Sequence, residues 1–327
     1  MRLKTSLYLL FFGILTVATV FFRHPSQKEF AKEEVLGTKA GVTLFVEPDD
    51  GRQPLLDVIN SAQKEILLED YLLSDPDVEL YLSQAESRGV EVKVLLEEHP
   101  FGGSGLSPVA KAQLTAAGAE VRWANPSFTF THEKTIIIDG RIVCILNMNL
   151  TKTAFTKNRE YNSCDENPTD VTEAANIFKA DWDRTGFTPT TTNLVISPET
   201  ARGKLTALLA GATKSIDIEM EVLEDDQIID LLAQRAATMP VRIILPPLSK
   251  VDANKKALDR LKAKTLGSPY VHAKLIVVDG ERVYLGSVNL SAQSLDKNRE
   301  LGILISQNDI VERINQVFST DWANAQN

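Results

Sequence analysis

Two stretches of the chain carry the same polar side chains in the same order. The first contains His132, Lys134, Asp139, Gly140, Asn149 and Glu160, and the second His272, Lys274, Asp279, Gly280, Asn289 and Glu300. Residues 132–160 slide onto 272–300 by 140 positions without a gap, and 12 of the 29 positions are then identical. Matching at average residue frequencies would give about two. The chain has only four histidines, yet two occupy equivalent places with the same companions at the same distances. A solvated surface gives no physical reason for such a match. An imidazole titrates near neutrality, so it can serve as nucleophile, acid or base. A lysine ammonium and an asparagine amide supply donors where negative charge accumulates. A carboxylate such as Glu160 or Glu300 can bond the far ring nitrogen and fix the tautomer. Breaking a phosphodiester needs a nucleophile, an acid for the departing oxygen and positive charge on the non-bridging oxygens. One copy holds half of that set, and two copies facing each other hold all of it.

The elements around these residues follow from local pattern. Thr135–Ile138 and Leu275–Val278 are apolar and mostly β-branched, which puts each His-x-Lys at the start of a strand with the two side chains on one face. Asp-Gly followed by another apolar run predicts a hairpin turn. Upstream, helical spacing over 54–63 is followed by a strand at 65–70, a second helix through Val78 and Ala85 stopping at Gly89, and a strand at 90–96. The glycine-rich loop 100–105 leads to a helix ending near Gly118 and a strand at 120–123. Ser197 with Pro198 predicts a helix start. Beyond it come strands at 215–220, 241–245 and 271–279, with helices near 227–236 and 252–264. Lys64–Glu69 echoes Lys214–Glu219, and Asp181-Trp182 echoes Asp321-Trp322. The expectation is an α/β fold of two similar lobes, each a mixed sheet flanked by helices and related by a pseudo-two-fold axis. The lobes are expected at 42–187 and 193–327, joined through the threonine-rich 188–192.

At the amino terminus Arg2 and Lys4 precede an uncharged, mostly apolar run over 6–22, closed by Arg23. This reads as an uncleaved anchor or an export signal over 1–22, with the body outside the cytoplasm. Residues 23–41 form a polar spacer that contains His24. The net charge is −9, and removing the two basic residues of 1–22 leaves 33 basic against 44 acidic. Such a balance argues against a nucleic-acid binder, which concentrates positive charge. Two cysteines are too few for a stapled fold, and free Cys144 and Cys164 are the favoured state over a bridge. No His/Cys/carboxylate group stands at metal-ligand spacing, so no metal and no cofactor are expected. His99, in a loop after a strand, is a secondary candidate beside the plainer reading of an exposed histidine.

The repeated pattern resembles the phospholipase D superfamily, whose motif is His-x-Lys-x4-Asp followed by Gly-Ser-x-Asn. The second copy matches throughout, ending in Gly286-Ser287-Val288-Asn289. The first has Leu146-Asn147-Met148-Asn149 in place of Gly-Ser-x-Asn, with Asn147 where a serine would contact phosphate. The resemblance implies one active site shared by two lobes, a covalent phosphohistidine intermediate and no metal. It implies His132 as nucleophile and His272 as general acid. Lys134, Lys274, Asn149, Asn289 and Ser287 would hold phosphate, Asp139 and Asp279 would complete the motif, and Glu160 and Glu300 would orient the rings. The expected substrate is a phospholipid at a membrane surface, hydrolysed or transferred to an alcohol, and a monomer suffices for a complete site. The alternatives are an exported endonuclease of the same superfamily and an inactive lipid-binding protein.

Overall fold

The computed structural model describes residues 41–102, 105–190 and 192–327. The basic and apolar segment 1–22, nearly all of the spacer 23–41, and His24 lie outside the described residues. No helix among the described residues is long and apolar enough to cross a membrane.

Seven strands of the first half form one sheet: β1 (Val42–Glu47), β2 (Glu65–Asp70), β3 (Glu91–Leu96), β4 (Glu120–Trp123), β5 (Lys134–Ile138), β6 (Ile142–Ile145) and β7 (Asn158–Asp165), in the order β1-β7-β6-β5-β2-β3-β4. The second half supplies β8 (Leu194–Ser197), β9 (Ile216–Met220), β10 (Val241–Leu245), β11 (Lys264–Thr265), β12 (Tyr270–Val271), β13 (Lys274–Val278), β14 (Arg282–Gly286) and β15 (Glu300–Ile305). Its sheet runs β8-β15-β14-β13-β9-β10-β11, the same topology repeated, while β12 pairs with β7 of the first sheet. Both sheets are mixed: β2, β3 and β4 run parallel, as do β9, β10 and β11, β12 runs parallel to β7, and the other pairs are antiparallel.

Apolar side chains fill three layers. The central one joins the inner faces of both sheets, with Val143, Ile145 and Tyr161 from the first and Val277, Leu285 and Ile303 from the second. The helices Pro168–Asp183 and Asn308–Asn324 add Ile177, Phe178, Ile314 and Phe318 to it. Each outer face carries its own helices and its own cluster. Strands covered on both faces must be apolar throughout, and every residue of β5 and β13 is buried. Both Asp-Gly hairpins form, with positive φ at Asp139, Gly140, Asp279 and Gly280, as tight hairpin turns require.

Three expectations are corrected. Cys144 and Cys164 stand directly opposite each other on β6 and β7 and form a disulfide, so a bridge replaces the expected free thiols. Two cysteines far apart in sequence give no hint of that register. Ser197 ends strand β8 rather than starting a helix: it pairs with Glu300, and its hydroxyl donates to the Ser294 carbonyl. The helix begins four residues later, at Ala201. The expected continuous strand over 271–279 is split, because β12 belongs to one sheet and β13 to the other. His272 occupies the gap between them.

Candidate active site at the junction of the two sheets

Both histidines sit where the chain leaves the edge of one sheet and enters the other. Before His132, Thr131 bridges Arg299 at the start of β15, and the His132 amide donates to the Arg299 carbonyl at 2.8 Å. Before His272, Tyr270 and Val271 pair with Asn158 and Arg159 of β7. Each histidine is thereby placed beside the Asn-Arg-Glu segment of the opposite half.

The polar network is crosswise as a result. His132 Nδ1 lies 2.8 Å from Glu300, and His272 Nδ1 lies 2.8 and 2.9 Å from the two oxygens of Glu160. Asn298 and Asn158 each donate at 3.0 Å to the glutamate two residues on. Ser294 donates to Glu300 at 2.7 Å. The arginines also cross over. Arg299 meets Asp181 of the first half at 2.7 Å and Glu199 at 2.8 Å, while Arg159 meets Asp321 of the second half at 2.6 Å and Asp49 at 2.8 Å. The remote Asp-Trp echo thus supplies the partner that each buried guanidinium needs.

Lys134 and Lys274 each donate to the carbonyl of their own histidine. Lys274 Nζ also lies 3.3 Å from His272 Nε2, so residues two apart do share a face there. Burial pushes the His132 imidazole down to about 4 against the pull of Glu300, and Lys134 and Lys274 push the same way. His132 is therefore neutral at neutral pH, with Nδ1–H pointing at Glu300 and the Nε2 lone pair available. Burial also lowers Lys134 to about 8, Glu300 opposing and Lys274 reinforcing. Burial acts to raise Glu300, but His132 and Lys134 hold it below its ordinary value. These mutual effects across the sequence mark one cluster.

Some expected site residues lie elsewhere. Asp139 and Asp279 are not brought to the histidines. A five-residue strand intervenes in each case, roughly 16 Å at the ordinary rise. Asp139 instead accepts from the amides of Gln63, Lys64 and Glu65 at 2.7–3.0 Å, and Asp279 from Thr213, Lys214 and Ser215 at 2.6–3.2 Å. The Ser287 hydroxyl is engaged by the backbone of Leu301 at both its donor and acceptor sides. Asn147 bonds across the lobes to Gly286 and accepts from Lys274 and Tyr161 amides. Asn289 accepts from the Val222 amide at 3.1 Å, whereas the buried Asn149 Oδ1 has no partner among the described residues. His99 is exposed, and its neighbour Glu97 accepts from the Thr131 amide at 2.8 Å beside His132.

Two residues of the cluster went unread in the sequence, and an existing echo locates both. Continuing the match of Lys64–Glu69 with Lys214–Glu219 sets Tyr71 against Glu221. The Tyr71 ring packs edge-on to His132 at 4.6 Å, and Lys134 Nζ lies 5.0 Å over its face. Glu221 instead bonds Lys274 at 2.8 Å and approaches His272 Nε2 at 3.4 Å. Nearby, Glu69, Glu133 and Asp181 bring carboxylate oxygens within 4.8 Å of one another. Such oxygens can share a cation or a proton. Arg299 already supplies positive charge to Asp181; burial raises all three carboxyls, repulsion from Asp181 adds to the rise of Glu69 and Glu133, and Glu69, raised furthest by burial, holds a proton.

The sequence family described as cardiolipin synthase, PLD-like domain, matches residues 55–182 and again 205–322. Cardiolipin synthase 2 of Bacillus anthracis is 24% identical over 331 aligned positions, covering 84% of this chain and 63% of that protein. The chain therefore spans less than two thirds of that relative's length. The crystal structure of phosphatidylserine synthase from Haemophilus influenzae Rd KW20 superposes with a TM-score of 0.65 over 88% of this chain and 89% of that one, at 12% identity. Polyphosphate kinase from Porphyromonas gingivalis superposes with a TM-score of 0.69 over 85% of this chain and 46% of that one, at 15% identity. At these identities the structural likeness is one of fold.

Proposed function

Since the chain belongs to the cardiolipin synthase PLD-like family of the phospholipase D superfamily, by a match that spans both lobes, we propose that it is a phosphodiesterase or phosphatidyltransferase acting on phospholipids. The observation that carries this reading is the crosswise pairing: each histidine is oriented by the glutamate of the other half. Neither half alone has an oriented imidazole, so the unit of function is the pair.

In the proposed reaction the neutral His132 Nε2 attacks phosphorus, forming a P–N bond as the P–O bond to the leaving group breaks. His272 gives its Nε2 proton to that oxygen. Water or an alcohol then attacks the phosphohistidine, His272 takes the incoming proton, and the P–N bond breaks. Lys134, Lys274, Asn149 and Asn289 stabilise the non-bridging oxygens where charge grows. Glu300 and Glu160 keep the tautomers right and meet the imidazolium charge, as the acid does in a serine–histidine–acid triad. Ser287 and Asn147 take no part, since their polar atoms are committed within the protein. One chain provides every group. We take no metal to be needed, because the two lysines supply the positive charge.

A lipid surface is supported by the exposed apolar side chains of the loop and helix that follow β3. Phe101 is 89% exposed, Leu106 44% and Val109 53%, and the Phe101 amide donates to the Tyr71 hydroxyl, one ring away from His132. A location outside the cytoplasm fits the disulfide Cys144–Cys164. The test is an activity panel in the presence of a chelator. Phospholipid vesicles without and with added glycerol should yield phosphatidic acid and a new glycerol-containing phospholipid, respectively. Cleavage of plasmid with inert vesicles would replace lipid by nucleic acid. Inactivity on both substrates would leave a lipid-binding protein.

A further inference from the structure

The two halves of the site treat their lysines differently. In the first half, Tyr71 offers Lys134 the face of a ring, and among the described residues no carboxylate bonds this lysine. In the second, Glu221 stands at the matching place and bonds Lys274 Nζ at 2.8 Å. The same carboxylate lies 3.4 Å from His272 Nε2, the nitrogen that must face a leaving or incoming oxygen. Tyr270 donates to its other oxygen at 3.3 Å. Burial alone would raise Glu221, but His272 and Lys274 hold it down to about 2, so it is ionised at neutral pH. Its side chain is 18% exposed, against none for Lys274. It therefore lies between solvent and the cation that a bound phosphate needs.

An anion already occupies one of the two cationic positions. Resting on the reading above, we propose that Glu221 sets the charge this site admits: a phosphodiester must displace it from Lys274, and it repels the second negative charge of a phosphomonoester. A diester carries one negative charge and can share Lys274 after the carboxylate turns aside. A monoester or free phosphate carries close to two at pH 8, and the displaced carboxylate stays within a few ångströms of it. In a site screened from water that repulsion is large compared with the same pair at an open surface. Glu221 is thus a specificity-determining residue that keeps a monoester product from blocking the cluster.

The test compares two probes at pH 8, inorganic phosphate and bis(p-nitrophenyl) phosphate, on the full chain and on Glu221→Gln. The glutamine keeps the shape and removes the charge. Both probes are spared displacing the carboxylate in the variant, but the gain in affinity should be about tenfold or more larger for inorganic phosphate than for the diester. Glu221→Asp keeps the charge but draws it back from Lys274, so its phosphate affinity should fall between the two. That measurement carries the test if thermal melting shows the glutamine variant unfolded. Phosphate affinity that is unchanged, or that moves in step with the diester's, overturns the proposal. Failure of every form to bind either probe overturns the phosphodiesterase reading itself, and the proposal with it.

Discussion

The first and second halves of the site share a frame but differ in what they place around each histidine. In both, a strand break seats the histidine, a crossing glutamate fixes its Nδ1, and a lysine bonds its carbonyl. Beside His132 the further neighbour is the Tyr71 ring. Beside His272 it is a second carboxylate, that of Glu221. A duplicated frame brings two equivalent imidazoles to one place, whereas a nucleophile and an acid must differ. The environment of His132 suits a neutral ring with a free lone pair. His272 instead lies between the carboxylates of Glu160 and Glu221.

The largest expected effect tests that division. His132→Ala and His272→Ala should each lower turnover by about 10⁵–10⁶-fold, and the double variant should be little worse, as for residues that act as a unit. The comparison sharpens with a labelled diester that has an activated leaving group. His272→Ala should still trap a covalent phosphoenzyme, because such a leaving group needs no proton. His132→Ala should trap none. Label on the His132→Ala protein would reverse the roles.

Next come the orienting carboxylates. Loss of the corresponding acid in a serine–histidine–acid triad costs on the order of 10⁴ in kcat, and Glu300→Gln should approach that. Glu300 also receives Ser294 and Asn298, so a glutamine amide there would meet donors on every side. Glu160→Gln should cost roughly tenfold less on the same scale, because His272 keeps Glu221 beside it. Equal losses would mean that the second carboxylate does nothing for the ring.

The crossing arginines differ in the same way. Removing one partner of a buried pair costs about 3–5 kcal/mol. Arg299→Met should fall at the upper end, since Arg299 faces Asp181 and Glu199 and also acts on Glu69 and Glu133. Arg159→Met should fall at the lower end, because Glu219, the counterpart of Glu69, has the Tyr161 hydroxyl at 2.8 Å. Denaturant unfolding of the two variants measures the difference.

A smaller effect isolates Glu133, which has Ala273 as its counterpart. Burial raises Glu133 to about 7, with Arg299 opposing and Asp181 reinforcing. The folded state therefore holds a proton that the unfolded chain releases above about 4.5. Stability from this group is full below that pH and is lost as pH rises through about 7. Glu133→Gln removes the dependence. Relative to the parent it should gain about 1–3 kcal/mol between pH 4.5 and 8, read from unfolding curves across that range. A flat difference would show that the carboxyl is ionised throughout.

Local pattern carried much of this architecture. The strands Glu65–Asp70, Glu120–Trp123 and Val241–Leu245 have the bounds that their apolar runs and flanking turns imply. The two hairpins follow from Asp-Gly. Long-range pairing is where pattern fails. Strand β8 looks like a helix start because serine and proline report local preference, not the Glu300 it pairs with. The break at His272 is invisible because an apolar run does not say which sheet each residue joins. The repeat shows which residues belong together, but not that Arg299 crosses to Asp181 or Glu300 to His132. Glu221 escaped notice because it breaks the repeat, and a search for matching residues passes over a position that differs.

The smallest expected effect lies where the halves agree most closely. Asp139 and Asp279 belong to the repeated motif as firmly as the histidines do, yet both bind three consecutive amides at the far end of their strands. Those amides lead into β2 and β9, so each aspartate pins a hairpin turn to the start of the neighbouring strand. Asp139→Ala and Asp279→Ala each strand donors that water can partly reach, which costs about 1–2 kcal/mol, as for loss of a helix cap. The two should destabilise alike, with kcat near that of the parent at temperatures where the variants are folded. A tenfold fall in kcat without unfolding would connect the turn to the chemistry. Equal, purely structural losses would mean that the halves keep in common what builds the frame, and that their differences lie around the two rings.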